Sequence, residues 1–130
     1  IDFKSKSENI VVVEQLINDL CDKHAIHGDQ YGNLLIALTE AVNNAIIHGN
    51  SGDPNKNVIV EYISCESSID FTVIDEGVGF DFENLPDPTD PKNIEKPSGR
   101  GVFLMRNLAD EVNFQDEGRI VELKFQIIAN

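Results

Sequence analysis

Hydrophobic residues recur along this chain at two different spacings, and the longer spacing predicts its central helix. Over residues 29–48 they return every three or four positions, which is the period of an amphipathic helix with one buried stripe. We expect the helix to end at Gly49, because glycine readily adopts the left-handed conformation that closes many helices. The stripe is formed by Leu34, Leu38, Ala41 and Ala45, joined by Leu35, Val42 and Ile46.

The same reasoning predicts two further helices and five short strands. Ser7 is a good N-cap for a helix that runs to about His24, and residues 102–109 have a helical pattern. Because short turns join most of the strands as hairpins, we predict an α/β fold. It is a two-layer sandwich whose mixed, mostly antiparallel sheet is covered on one face by about three helices. The predicted strands are residues 1–6, 58–64, 69–74, 111–114 and 120–127.

One long segment, residues 81–98, has no sustained period and holds four of the five prolines. Long irregular loops in small domains are often lids or binding loops. We therefore interpret residues 1–130 as one domain whose lid covers approximately residues 80–98.

The composition narrows the classes of function. With 130 residues, 41% of them hydrophobic and 25% charged, the chain can bury one core. A formal net charge of −13 argues against direct binding of nucleic acid, because phosphate recognition needs Lys and Arg. No apolar run approaches the roughly 20 residues that span a membrane. Cys21 and Cys65 lack metal-type spacing, so we expect two free thiols in a cytoplasmic protein.

Two polar residues of the central helix are the first candidates for chemistry. Glu40 and Asn44 are four positions apart, so they share one helical face. An Asn carbonyl oxygen is a hard ligand suited to Mg²⁺, and a carboxylate one turn away can accept a proton. The same pair also fits an exposed, solvated helix face, and the helix alone does not decide between these alternatives.

Two glycine-containing segments are the other candidates. Asp75 ends an apolar strand and is followed by Gly77 and Gly79. Its carboxylate can accept a hydrogen bond from a ligand's amino group, and the glycines let a ring or phosphate approach the backbone. Residues 98–101 (Ser-Gly-Arg-Gly) precede the last predicted helix, where backbone N–H groups favour an anion. Taken singly, the two segments also fit an ordinary turn and the end of a flexible loop.

Together these segments resemble the motifs of the GHKL ATPase superfamily, which includes gyrase, the heat-shock chaperone ATPases, histidine kinases and MutL. Glu40-x-x-x-Asn44-Ala45-x-x-His48-Gly49 is similar to the N-box of that superfamily. Asp75-x-Gly77-x-Gly79 and Gly99-x-Gly101 are similar to its two glycine boxes, in the expected order and with a lid between them. The resemblance covers nearly the whole chain and implies a Bergerat-type ATP-binding fold.

Within the superfamily, the chain resembles the anti-sigma-factor serine kinases of the RsbW and SpoIIAB type. The compact size and the sequence of residues 39–45 and 97–105 carry this closer resemblance. One position departs from it, since some members carry an Arg where this chain has Pro97. Arg100 or Lys96 would have to supply that charge.

The resemblance implies a role for each candidate residue. Asn44 would hold Mg²⁺ against the triphosphate of ATP, and Glu40 would be the general base for the attacking hydroxyl. Asp75 would accept a hydrogen bond from the adenine amino group. The adenine pocket would be shaped by Gly77 and Gly79, with Thr72 or its neighbours beside them, and the phosphates would lie against Gly99, Arg100 and Gly101.

The leading hypothesis is therefore an ATP- and Mg²⁺-dependent protein serine kinase that acts as an anti-sigma factor. The resemblance implies a STAS-domain antagonist as its substrate, a sigma factor as its second partner, and pairing as a homodimer. One alternative is a nucleotide-gated binding module without transfer activity, but such a module needs no base, so Glu40 favours the enzyme. Another is the catalytic domain of a histidine kinase, which would need a phospho-accepting His on an adjacent helix.

Overall fold

Five strands form one sheet in the computed structural model, which describes residues 1–26, 28–77 and 97–127. Each neighbouring pair of strands is antiparallel. The predicted α/β sandwich is confirmed, but the described strands include no parallel pair that would make the sheet mixed. The strands are β1 (Asp2–Lys4), β2 (Asn57–Ser64), β3 (Ser68–Asp75), β4 (Glu111–Gln115) and β5 (Ile120–Gln126), in the order β1-β2-β3-β5-β4 across the sheet.

Three α-helices cover one face of this sheet: α1 (Ile10–His24), α2 (Gly28–Asn44) and α3 (Pro97–Leu108). Ser7 does not cap α1 as predicted, because a 3₁₀ turn, Ser7–Asn9, precedes the helix. Proline suits the first position of α3, since its missing N–H would have no partner there. The predicted lid lies outside the described residues, except for its last two positions, which belong to α3.

The core lies between the helices and the covered face of the sheet. β3 alternates strictly, so Ile69, Phe71 and Val73 are buried beneath the helices. Asp75 takes the next position in this row and is also buried. The helices add matching stripes, in which α1 buries Val13, Ile17, Leu20 and Cys21, and α2 buries Leu34, Ala37, Leu38, Ala41 and Val42.

The end of α2 differs from the prediction. The helix passes into a π-helical turn, Ala45–Gly49, and the N–H of Asn50 donates to the carbonyl of Ala45 at 2.8 Å. The left-handed residues come later, at Ser51 and Gly52, with φ of 55° and 71°. The prediction that Gly49 closes the helix by a left-handed turn is therefore wrong.

Two simpler expectations concern the membrane and the cysteines. No helix among the described residues is long and apolar enough to cross a membrane. Cys21 is buried on α1, Cys65 is exposed between β2 and β3, and both are free, as predicted.

Candidate functional site

A narrow cavity lies between α2, α3 and the covered face of the sheet. Its free volume is about 10 Å³, which is room for about one water molecule. The cavity brings the helix motif and the first glycine segment together, although its walls are nearly in contact. The wall consists of Ala41, Asn44 and Ala45 of α2, Val73 and Asp75 of β3, Met105 of α3, Phe114 of β4, and Gly118, Arg119 and Val121 at the β4–β5 connection and on β5.

Glu40 and Asn44 meet α3 at Gly101, which belongs to the second glycine segment. A Cβ atom on Gly101 would lie 3.0 Å from Oε2 of Glu40 and 3.2 Å from both Oδ1 and Nδ2 of Asn44. These distances are tighter than about nine in ten real Cβ contacts, so glycine lets α3 approach α2 this closely. The structure therefore places the candidate base, the candidate metal ligand and the second glycine segment side by side.

The amide of Asn44 is buried without a full set of partners. Asn44 is 8% exposed, and its Nδ2 has no hydrogen-bond partner within the described part of the chain. An unpartnered buried polar group costs free energy. Because Asn44 is buried and Glu40 is half-buried, a fully solvated helix face does not describe Asn44. An amide held in this state is suited to receive a ligand.

Asp75 presents a buried carboxylate at the end of β3. The N–H of Gly77 donates to its Oδ1 at 2.9 Å. Burial raises the pKa of Asp75 above its ordinary value, while the Gly77 N–H and the positive charges of Arg119 and Lys56 oppose the rise. A hydrogen-bond donor on a ligand would likewise lower the pKa of Asp75 and favour its charged form.

Gly49 and Gly77 hold the end of α2 against the end of β3. A Cβ atom on Gly49 would overlap the carboxylate of Asp75, and one on Gly77 would overlap the backbone carbonyl of Gly49. Neither glycine has a positive φ. Both are therefore required by a close tertiary contact rather than by backbone conformation.

The remaining predicted residues divide into three groups. Gly99 and Arg100 lie in the first turn of α3, whereas the sequence placed them before a helix. Gly79 lies outside the described residues. The prediction named Thr72 or its neighbours: alternation in β3 puts Thr72 itself on the face opposite Asp75, away from the described helices, whereas its neighbour Val73 lines the cavity.

Sequence reasoning missed Asn50 and the apolar wall of the cavity. Asn50 is fully buried and hydrogen-bonds to Glu76 and Asn57. A signal for Val121 of that wall was present in the sequence, since alternation in β5 places it on the covered face with Leu123. No periodic signal identified Asn50, because it follows the helix directly and its partners come from other segments.

Replacing Asp75 by asparagine should raise the stability of the ligand-free protein at neutral pH. The amide oxygen can still accept the Gly77 N–H, while a buried negative charge is removed. Because the pKa of Asp75 is raised in the folded state, folding takes up a proton, and the wild type gains stability as pH falls through that pKa. The advantage of Asp75→Asn in urea denaturation should therefore shrink in acid. Equal denaturation midpoints at neutral pH would contradict the cost of burying this carboxylate.

Comparison with known proteins identifies the class to which this fold and site belong. The family described as the histidine kinase-like ATPase domain matches residues 3–125, and the chain belongs to this family. A solved histidine kinase domain, from the Erythrobacter litoralis EL346 blue-light activated histidine kinase, has a TM-score of 0.50 and 24% identity. The match covers 75% of this chain and 44% of that chain, and it shows the fold alone.

Curated relatives are more specific than the family. The chain is 33% identical over 121 residues to an anti-sigma F factor of Clostridium perfringens, covering 90% of this chain and 85% of the relative. It is 37% identical over 106 residues to an anti-sigma F factor of Geobacillus thermodenitrificans, covering 76% and 71%. It is 28% identical over 124 residues to the serine-protein kinase RsbW of Bacillus cereus, covering 90% and 77%.

Proposed function

We propose that this chain is an ATP- and Mg²⁺-dependent protein serine kinase that acts as an anti-sigma factor. It phosphorylates a serine on a STAS-type antagonist and sequesters a sigma factor in the cytoplasm, as a single domain that pairs into a homodimer. The names of the similar proteins, anti-sigma F factor and serine-protein kinase RsbW, support both halves of the proposal.

The observation that carries the kinase assignment is the meeting of Glu40, Asn44 and Gly101. A carboxylate and an amide stand one helical turn apart, directly beneath the first turns of α3. The same Asn44 also lines the cavity with Asp75. Asn44 therefore lies between the place proposed for the phosphates, beneath α3, and the place proposed for adenine, at Asp75.

The buried surroundings of Asp75 support its role in adenine recognition. Its Oδ1 already accepts the Gly77 N–H, and a further donor, such as the adenine amino group, would stabilise the carboxylate. Gly77 and Gly79 shape this pocket in our proposal. Gly99, Arg100 and Gly101 lie against the phosphates, where the first-turn N–H groups of α3 favour an anion.

The residues present fit a magnesium site completed by the nucleotide. No group of three His, Cys, Asp or Glu side chains is gathered in a metal-binding arrangement within residues 1–26, 28–77 and 97–127. Mg²⁺ is commonly held by one or two protein ligands, with phosphates and waters supplying the rest, so Asn44 is sufficient. The ion would neutralise charge on the transferred phosphoryl group, which a chain of net charge −13 needs.

Glu40 supplies the proton acceptor for transfer. It takes the proton of the substrate serine hydroxyl as the serine oxygen bonds to the γ-phosphorus, and the bond to the β–γ bridging oxygen breaks to release ADP. The contact of Glu40 and Asn44 with α3 leaves little space, and the cavity is narrow.

Replacing Asn44 by alanine should weaken ATP binding in the presence of Mg²⁺ by about tenfold or more, since it removes an ion ligand. It should also abolish most of the difference between binding with and without Mg²⁺. Stability should change little, because the Nδ2 of the lost amide has no hydrogen-bond partner among residues 1–26, 28–77 and 97–127. Titration calorimetry with and without Mg²⁺ would measure the ATP affinity and its Mg²⁺ dependence, with the neighbouring Asn43→Ala as a matched control. Retention of full Mg²⁺ dependence in Asn44→Ala would remove the metal role.

The proposed function is tested by ATP binding, phosphoryl transfer and sigma-factor capture. Calorimetry with and without Mg²⁺ comes first, followed by transfer of labelled γ-phosphate to several STAS-domain proteins and co-purification with sigma factors. Mg²⁺-dependent binding with serine phosphorylation supports the kinase. Binding without transfer to any STAS protein would favour a nucleotide-gated binding module. Absence of ATP binding would overturn the proposal.

A further inference from the structure

Asn50 is a fully buried polar residue at the point where three segments of the chain meet. Its backbone N–H closes the π-helical turn on the carbonyl of Ala45, at 2.8 Å. Its side-chain Oδ1 accepts the backbone N–H of Glu76 at 2.8 Å, and its Nδ2 donates to the carbonyl of Asn57 at 3.0 Å. One amide thus ties the end of α2 to the start of β2 and to the turn after β3.

Glu76 closes the same network from the surface. Its carboxylate Oε1 accepts the N–H of Asn57 at 2.7 Å, while its own N–H is held by Asn50. The backbone of Asn57 is therefore bonded to both side chains: its carbonyl accepts from Asn50 and its N–H donates to Glu76. The peptide of Glu76 is fixed on two sides, by a buried amide and by its own side chain.

We infer that Asn50 is a positioning residue: it holds Asp75 in the orientation that recognises the adenine of ATP, and it acts on the nucleotide only through Asp75. This inference rests on the proposed function. The Glu76 peptide lies between Asp75 and Gly77, and the Gly77 N–H holds Oδ1 of Asp75. Gly49, which precedes Asn50, packs against the other side of that carboxylate. Fixing the Glu76 peptide therefore fixes the direction in which Asp75 presents its oxygen.

A positioning role and a merely structural role predict different nucleotide preferences. ATP carries an amino group where inosine triphosphate carries a carbonyl oxygen, so only ATP can donate to Asp75 there. General loosening of the fold lowers the affinity for both nucleotides equally. Displacement of Asp75 lowers the affinity for ATP and leaves that for inosine triphosphate nearly unchanged.

The experiment compares both nucleotides in the wild type and in Asn50→Ala by calorimetry. We expect the wild type to prefer ATP. Asn50→Ala should lose about tenfold or more in ATP affinity, which is the effect of losing one oriented hydrogen bond. The ratio of the two affinities should then approach one. Asn113→Ala, an exposed asparagine on β4, is the matched control and should keep the wild-type ratio.

Glu76→Ala gives a second test that leaves the buried amide in place. Glu76 is exposed, so its removal should lower the same ratio by a smaller factor without the risk of unfolding the core. Amide exchange in the nucleotide-free protein should become faster at positions 76 and 77 in both variants. At saturating ATP the turnover number should fall less than the apparent affinity, because Glu40 is not touched.

The outcomes separate this inference from the proposed function. A wild-type preference for ATP that survives unchanged in both variants would overturn the positioning role alone, even if exchange at Glu76 became faster. Failure of the wild type to bind ATP would overturn the proposed function, and the inference with it. A selective loss of ATP affinity in both variants supports the inference.

Discussion

Replacing Glu40 by alanine should reduce phosphoryl transfer by about a hundredfold or more, the range expected for loss of a general base. ATP binding should stay close to wild type, because Glu40 lies beside the proposed phosphate site without supplying a ligand to it. Removing one negative charge there would, if anything, favour the anionic nucleotide. Transfer of labelled phosphate to a STAS protein and calorimetry of ATP binding measure the two effects separately.

Two controls make this result specific to Glu40. Glu14→Ala removes the same charge from an exposed position on α1 and should leave transfer unchanged. Glu40→Gln keeps the shape that packs beside Gly101 while removing the basic oxygen, so it should be as inactive as Glu40→Ala. Transfer within a few-fold of wild type in Glu40→Gln would remove Glu40 from the chemical step.

Replacing Gly77 by alanine should disrupt the candidate site strongly, although it adds only one methyl group. The added Cβ would overlap the carbonyl of Gly49, and a backbone atom cannot rotate away as a side chain can. The turn after β3 must then shift, and Asp75 and the Glu76 N–H shift with it. We expect a loss of about 1–3 kcal/mol in the free energy of unfolding, the usual cost of overpacking. ATP affinity should fall by about tenfold or more, the effect of one misplaced hydrogen bond.

Gly32→Ala is the matched control for this substitution. A Cβ at Gly32 meets no atom within 4 Å, and the residue lies within α2. Alanine in a helix is favoured over glycine by about 1 kcal/mol, so this variant should be slightly stabilised and bind ATP normally. Urea denaturation and calorimetry on both variants decide the matter. Wild-type stability and affinity in Gly77→Ala would show that the two turns are not in contact.

The predicted and observed structures differ at Thr72, Ser7 and Gly49, for different physical reasons. Alternation in β3 already places residues 72 and 75 on opposite faces, so Thr72 could have been excluded from the pocket. Ser7 is of a residue type that favours N-caps, but a 3₁₀ turn follows it and the helix begins only at Ile10. The role of Gly49 was not readable, because the reason for glycine there is the carboxylate of Asp75.

By itself, the sequence determined the elements and the candidate groups. The three-to-four-residue period built α2 and aligned Glu40 with Asn44, and the two-residue period turned Asp75 toward the helices. These are local properties, set by backbone geometry within a few residues. Only the tertiary structure decided that Gly101 presses on Glu40 and Asn44, and that buried Asn50 holds the turn carrying Asp75. Such contacts join segments far apart in the chain, and short-range periodicity carries no information about which segments will meet.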